Sequence, residues 1–432
     1  MAVDRRTFLR LLGAAAGTVA LSACTPDVGE GDAPPADEGP DVLRFSLWGS
    51  GAEMAVFQAL AREFEAAEGV AVRLEPVSFD RLVDAVDAEL QSGRGPDLFR
   101  VSYGDLGRFA DSGALLDLTP YLPPGYAEQF HPSLWSAIER DGEVLGVPHH
   151  LDTSMLLVNT EAAESVGLGP LPARLDEAWT WDELTAALSR FHSATQSHQA
   201  ATGVNWQQFG AYRWLNFLGQ AGGRLLTEEL DAPAVNDAAG LEALRYTQSL
   251  FTQGLVPPTT STMGDYVADL FGAGTLATVF AGDFVLPDLV NVAFDYTATF
   301  LPVRERATAE LGGNAVVATA GTPRAEQAAR FLQFLASEEQ MARFCEQTTV
   351  LPTRAALSGA DLDYAVRPDL MELFVQQAEA VTEDIVQQTT VPRFSQINAA
   401  LVQRLDRAFV GREQPELVLS ALSDDIARIL SA

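Results

Sequence analysis

Strand and helix signals alternate without interruption from Val42 to Gly113, and this alternation restricts the fold more than any other feature of the chain. Val42 to Leu47 places Leu43, Phe45 and Leu47 at the period of two that marks a half-buried strand. After a turn at Gly49-Ser50-Gly51, Glu53 to Glu68 reads as a helix. Phe57, Leu60 and Phe64 share one face, and Gly69 stops it. Val70 to Val77 is a second strand, and Arg81 to Ser92 is a second helix with Leu82, Val86 and Leu90 at helical spacing. Pro96 to Val101 is a third strand, followed by a short helix ending near Gly113. Strands joined through helices pair in parallel, because the helix carries the chain back to the start of the next strand. The expected class is therefore α/β. Ligands of such sheets sit outside the carboxyl ends of the strands. That rule singles out Trp48-Gly49-Ser50 and Ser102-Tyr103-Gly104-Asp105.

The rest of the chain is richer in helix. Thr180 and Glu183 form a capping box, Thr322-Pro323 reads as an N-cap and first turn, and Ser337 with Gln340 opens another helix. Gln414-Pro415-Glu416 starts the last one. With 432 residues the chain has length for two or three lobes of roughly 100–200 residues each. It has no internal repeat and no heptad run.

The first residues read as an address. Arg5-Arg6 precedes the apolar run Leu11 to Leu21. That run is shorter than the roughly 20 residues of a spanning helix, so it fits a signal h-region. The twin arginines resemble the Tat export signal, and Leu21-Ser22-Ala23-Cys24 resembles a lipobox, in which the Cys24 thiol receives a diacylglycerol. Residues 1–23 are thus expected to be a Tat and lipoprotein signal peptide, and 24–41, made of Pro, Gly and acids, a disordered tether. Cys345, the only other cysteine, is then left without a partner and reads as a small buried hydrophobe.

Charge excludes several partners. There are 59 acidic side chains against 28 basic ones, all arginine, for a net charge of −31. A nucleic-acid partner needs a basic face, and a polybasic patch would be needed to dock on anionic lipid. The chain carries no phosphate-binding glycine loop, no G-x-S-x-G elbow and no G-x-G-x-x-G. His149-His150-x-Asp152 is the one local group of metal-ligand types, but adjacent histidines on a regular element point apart. No metal, cofactor or catalytic residue is expected.

A series of motifs in order resembles one family. They are Leu43 to Trp48; Gly95-Pro96-Asp97-Leu98-Phe99 running on to Ala110 through Thr119; Asp141 to Pro148 with Leu156-Leu157-Val158-Asn159; Trp179 to Leu184; Phe271 to Ala277 with Gly282-Asp283-Phe284; Gly312-Gly313-Asn314; and Phe331 to Arg354, ending Leu351-Pro352-Thr353-Arg354. Together they resemble the extracellular solute-binding proteins of ABC importers, in the branch of maltose-binding protein. Phe284 stands where that family often has tryptophan, and Val158 where it often has tyrosine.

The resemblance implies a type II periplasmic-binding-protein fold. Each lobe would be a mainly parallel sheet flanked by helices, joined by a hinge of crossing segments. Residues 42–121 plus 295–337 would form lobe 1, and 122–294 plus 338–432 lobe 2. It further implies an exported lipoprotein, monomeric and anchored at the outer face of the cytoplasmic membrane, that binds a sugar between its lobes and delivers it to membrane permease subunits. Sugars have apolar ring faces and polar edges, so their sites combine aromatic platforms with acids, amides and arginine. The candidates are Trp48, Ser50, Glu53, Tyr103, Asp105, Asp152, Asn205, Trp206, Arg213, Trp214, Asp283, Phe284, Gly313, Asn314 and Arg354. Other readings stay open. Asp105, Asp152 and Asp283 would suit a polyamine, Arg213 and Arg354 a phosphorylated polyol, and a carboxylate pair across a bound sugar a glycosidase.

Overall fold

The structure is a computed structural model that describes residues 42–194, 200–358 and 362–432. The expected signal peptide, Cys24 and the tether lie outside the described residues. The predicted alternation is realised as β1 (Val42–Leu47), α1 (Gly51–Glu68), β2 (Ala71–Pro76), α2 (Phe79–Gln91), β3 (Leu98–Ser102) and α3 (Tyr103–Asp111). β1 lies between β2 and β3 and is parallel to both. Its inward side chains meet the helices: the Phe45 ring contacts Phe57 of α1 and Phe331, with ring centroids 5.6 and 6.0 Å apart. α1 begins with a complete capping box between Ser50 and Glu53, and Gly69 ends it at φ +70°, a conformation that costs a Cβ-bearing residue more.

The remaining strands are β4 (Glu139–Arg140), β5 (Glu143–Val144), β6 (Val147–Asp152), β7 (Ser154–Asn159), β8 (Ala200–Val204), β9 (Leu276–Gly282), β10 (Tyr296–Thr299) and β11 (Gly312–Ala318). The first lobe carries a sheet of order β2-β1-β3-β11-β6, and the second a sheet of order β10-β7-β9-β8. Each sheet is mainly parallel, with a single strand running against the others. In the first sheet β11 runs antiparallel to its neighbours β3 and β6, and in the second β7 runs antiparallel to its neighbours β9 and β10. The physical reason lies in the connections. β11 arrives from the other sheet and not through a helix packed on its own, so nothing obliges it to run parallel.

The chain crosses between the sheets at Asp152–Ser154, between β10 and β11, and after the helix Glu338–Thr348, which packs on α1. The crossings therefore fall later than expected. Strand 147–152 belongs to the first sheet, not the second, 296–299 to the second, not the first, and helix 338–348 packs with the first lobe. Backbone bonds between Leu151 and Leu351, 2.8 Å in each direction, tie two of the crossings together.

The Thr180 and Ser337 caps are present. Thr322 is not a cap. It accepts the Arg324 N–H and donates to Asp97, and the helix starts at Ala325. Asp97 also accepts the Arg44 N–H, so it ties the start of β3 to the neighbouring β1. Cys345 is fully buried.

Truncating Phe45 removes contacts on two sides of a site that cannot readily collapse. We expect Phe45→Ala to cost about 3–5 kcal/mol, measured by chemical denaturation.

Candidate functional site

A cleft of about 620 Å³ opens between the two sheets. Its first wall is built at the carboxyl ends of β1 and β3. Trp48 follows β1, and Ser50 and Glu53 begin α1. The capping box has a second use there. One Glu53 oxygen accepts the Ser50 N–H at 2.7 Å, and the other accepts from Arg100 Nη2 at 2.6 Å. Arg100 Nη1 donates to the Trp48 carbonyl at 2.8 Å, and the guanidinium lies 4.7 Å from the Trp48 ring centre. Phe79, at the start of α2, meets the same ring edge-on at 5.1 Å. A cap, a buried ion pair and an aromatic surface thus hold one another in place.

His150 and Asn314 complete this wall. His150 Nε2 lies 3.2 Å from Arg100 Nη2 and 3.0 Å from the Asn314 amide. Burial and the neighbouring Arg100 charge push His149 down to about 3 and His150 well below the ordinary imidazole range, so both are neutral at physiological pH. His149 packs between Phe57 and Phe344 as a core residue. Gly313 has φ +98°, and a Cβ there would run into the His150 carbonyl. Glycine is what lets β11 lie this close to β6.

The second wall carries Asn205, Phe209, Tyr212 and Arg213 after β8, then Tyr266, and Phe284 and Asp288 after β9. Arg213 reaches back to the crossing segments. Its Nε lies 3.2 Å from Glu310 Oε1, and its Nη2 lies 3.8 Å from Asp152 Oδ1. Asn216 donates to the other Glu310 oxygen at 2.6 Å, and Ser154 donates to Glu310 as well. Burial pushes Asp152 up to about 6. Glu310 adds to that shift and Arg213 opposes it.

Ten of the fifteen residues singled out from sequence line the cleft: Trp48, Ser50, Glu53, Asp105, Asp152, Asn205, Arg213, Phe284, Gly313 and Asn314. The other five do not. Trp206 is fully buried and stacks on Phe409 at 4.7 Å and on Phe251 at 6.0 Å. Trp214 is also fully buried, and its indole N–H is donated to Thr247. Tyr103 is buried with its hydroxyl on the His150 carbonyl. Asp283 has no exposed surface, and burial, reinforced by Asp152, raises its carboxyl well above the usual range. Arg354 is held inside the protein by the Ala336 carbonyl and Gln129.

Sequence reasoning missed Phe79, Arg100, His150, Phe209, Tyr212, Tyr266 and Glu310. Arg100 carries a usable signal, a charge within the otherwise apolar strand Leu98-Phe99-Arg100-Val101 that must find a buried partner. Phe209 gives none. Its ring is 55% exposed because Gln208 and Phe209 both adopt positive φ, 50° and 65°, and Asn398 holds the Phe209 carbonyl.

The sequence pattern of the bacterial extracellular solute-binding proteins matches residues 48–342. The maltodextrin-binding protein MdxE of Bacillus subtilis is 23% identical over 386 residues, covering 86% of each chain. An ABC transporter solute-binding protein from Thermotoga lettingae, solved with alpha-D-tagatose, superposes with a TM-score of 0.77 at 23% identity, covering 90% of this chain and all of that one. The GacH receptor of Streptomyces glaucescens, solved unliganded and with acarbose, gives 0.77 at 20% identity, covering 90% of this chain and 98% of that one.

Two expectations follow from the geometry. Trp206→Ala should cost about 3–5 kcal/mol in denaturant, as a core truncation does. The folded protein holds the Asp152 proton up to about pH 6, against an ordinary carboxyl value of 3.8. The stability this provides is present at low pH and is lost as pH rises between those values. The free energy of unfolding, measured as pH rises through that window, should therefore fall more steeply for the parent than for Asp152→Asn.

Proposed function

The chain belongs to the bacterial extracellular solute-binding proteins, and from that premise we propose that its cleft captures a sugar or short oligosaccharide and delivers it to the permease of an ABC importer, without catalysis. The observation that carries this reading is the composition of the cleft. Trp48 and Phe79 on one wall, and Phe209, Tyr212 and Phe284 on the other, offer aromatic surface. Between them lie the carboxylates and amides of Asp105, Asp152, Asn205 and Asn314. Flat apolar faces with hydrogen-bonding groups between them match the amphipathic ring of a sugar. The sugars and oligosaccharides named with MdxE and with the two solved relatives support the same class.

In this reading the lobes comprise 42–152 with 311–348, and 153–310 with 349–432, and they close on the solute about the crossing segments. Closure buries the sugar, and the permease reads the closed form. The twin-arginine segment and the Cys24 lipobox would place the protein outside the cytoplasmic membrane on an acyl anchor, with 24–41 as its tether and a monomer as the working unit. No helix among the described residues is long and apolar enough to cross a membrane.

Melting the full chain against a panel of mono- and oligosaccharides should show a rise in Tm for at least one sugar. A flat response across the panel would sink the sugar reading. Phe209→Ala should weaken that sugar by several-fold to about tenfold in a calorimetric titration. The melting temperature of the free protein should stay unchanged, since the ring is already exposed.

A further inference from the structure

The charges lining the cleft do not balance. Its carboxylates are Glu53, Asp80, Asp84, Asp105, Asp152 and Asp288, and its guanidinium groups are Arg100, Arg108 and Arg213. Each arginine already has an acidic partner. Arg100 is bound to Glu53, Arg213 to Glu310, and Arg108 to Asp87 with Asp84 at 3.7 Å. His150 adds no positive charge, because burial and Arg100 keep it neutral.

Asp152 stands out within this surplus. It is only 7% exposed, its Oδ1 accepts no hydrogen bond, and the nearest cation, Arg213 Nη2, lies at 3.8 Å, beyond hydrogen-bonding distance. That oxygen is sealed inside the protein, so a solute meets the carboxylate where the residue lines the cleft, and a donor placed there offsets the cost of burying the charge. Any sugar hydroxyl could donate there, but a neutral hydroxyl would leave the excess negative charge where it is. An ammonium group supplies the donor and the missing charge together, and hydrogen bonds between ionised partners are the stronger kind.

Resting on the sugar-binding reading, we propose that the preferred solute is a saccharide bearing a protonated amine, with its nitrogen held against Asp152 in the field of Asp105 and Asp288. Burial raises the Asp105 carboxyl, and burial with nearby acids raises that of Asp288. Burial pushes the Tyr212 phenol up; Arg213 opposes that shift, and the charges of Asp152, Glu310 and Asp105 add to it, which places the hydroxyl near the same acids. The aromatic surface of the cleft continues to serve the ring faces, so the amine adds selectivity to a site that still reads a sugar.

The test compares sugars that differ only at nitrogen. The full chain is titrated calorimetrically with glucosamine and galactosamine, with their N-acetyl forms, with their two- to four-unit oligomers, with neutral glucose oligomers of the same lengths, and with spermidine. The free-amine sugars should bind about tenfold more tightly than the N-acetylated and neutral ones, the size of one added charged hydrogen bond. That preference should shrink with added salt, and it should shrink again in Asp152→Asn and in the exposed Asp288→Asn, which keeps the test available if the first variant does not fold. Equal or tighter binding of acetylated or neutral sugars overturns the amine proposal and leaves the sugar reading standing. Binding of spermidine with no saccharide bound overturns both.

Discussion

Glu310 is fully buried at the point where the chain passes between its two sheets, and its carboxylate can exist there because three groups from the second lobe reach it. Arg213 supplies the opposite charge, and Asn216 and Ser154 fill the remaining acceptor sites. Removing a charge from water is costly unless it is paired and hydrogen-bonded. The pair therefore does more than join two residues. Ser154 opens β7 and Glu310 precedes β11, so the same contacts hold two crossing segments against the wall that carries Arg213. The cleft floor and the hinge are one electrostatic unit, and Asp152 sits at its edge with its needs only partly met.

The first wall repeats the principle on a smaller scale. Glu53 closes the capping box of α1, yet only one of its oxygens serves the cap, and the other fixes Arg100 beneath Trp48. A local device for starting a helix thereby orients an aromatic surface in the cleft. Because each arginine of the cleft is bound to an acid in this way, the positive charge there goes to structure.

The strand-end rule located much of this site from sequence. Trp48, Ser50, Glu53 and Asp105 follow β1 and β3, and all line the cleft, because parallel strands present their carboxyl ends together. The aromatic candidates of the second lobe fared differently. Trp206 and Trp214 sit among polar neighbours in the chain, but segments remote in sequence bury them. Trp206 stacks on Phe409, some two hundred residues distant, and no local pattern encodes that contact. Phe209, three residues on, is turned outward by two successive positive φ angles and a bond from Asn398. Local composition reports which side chains can meet a sugar; burial by remote segments decides which of them are left free to do so.

By itself the sequence determined the α/β class, the order of the first six elements, the caps at Thr180 and Ser337, and the acidic balance of the chain. All of these depend on periodicity, capping chemistry and charge carried by neighbouring residues. The tertiary structure alone decided which sheet received strands 147–152 and 296–299, the antiparallel course of β11, and the pairing of Arg100 and Arg213 with their acids. Those outcomes depend on where the chain crosses between lobes. A crossing is fixed by the burial of side chains far apart in sequence, and buried charges must find their partners across it.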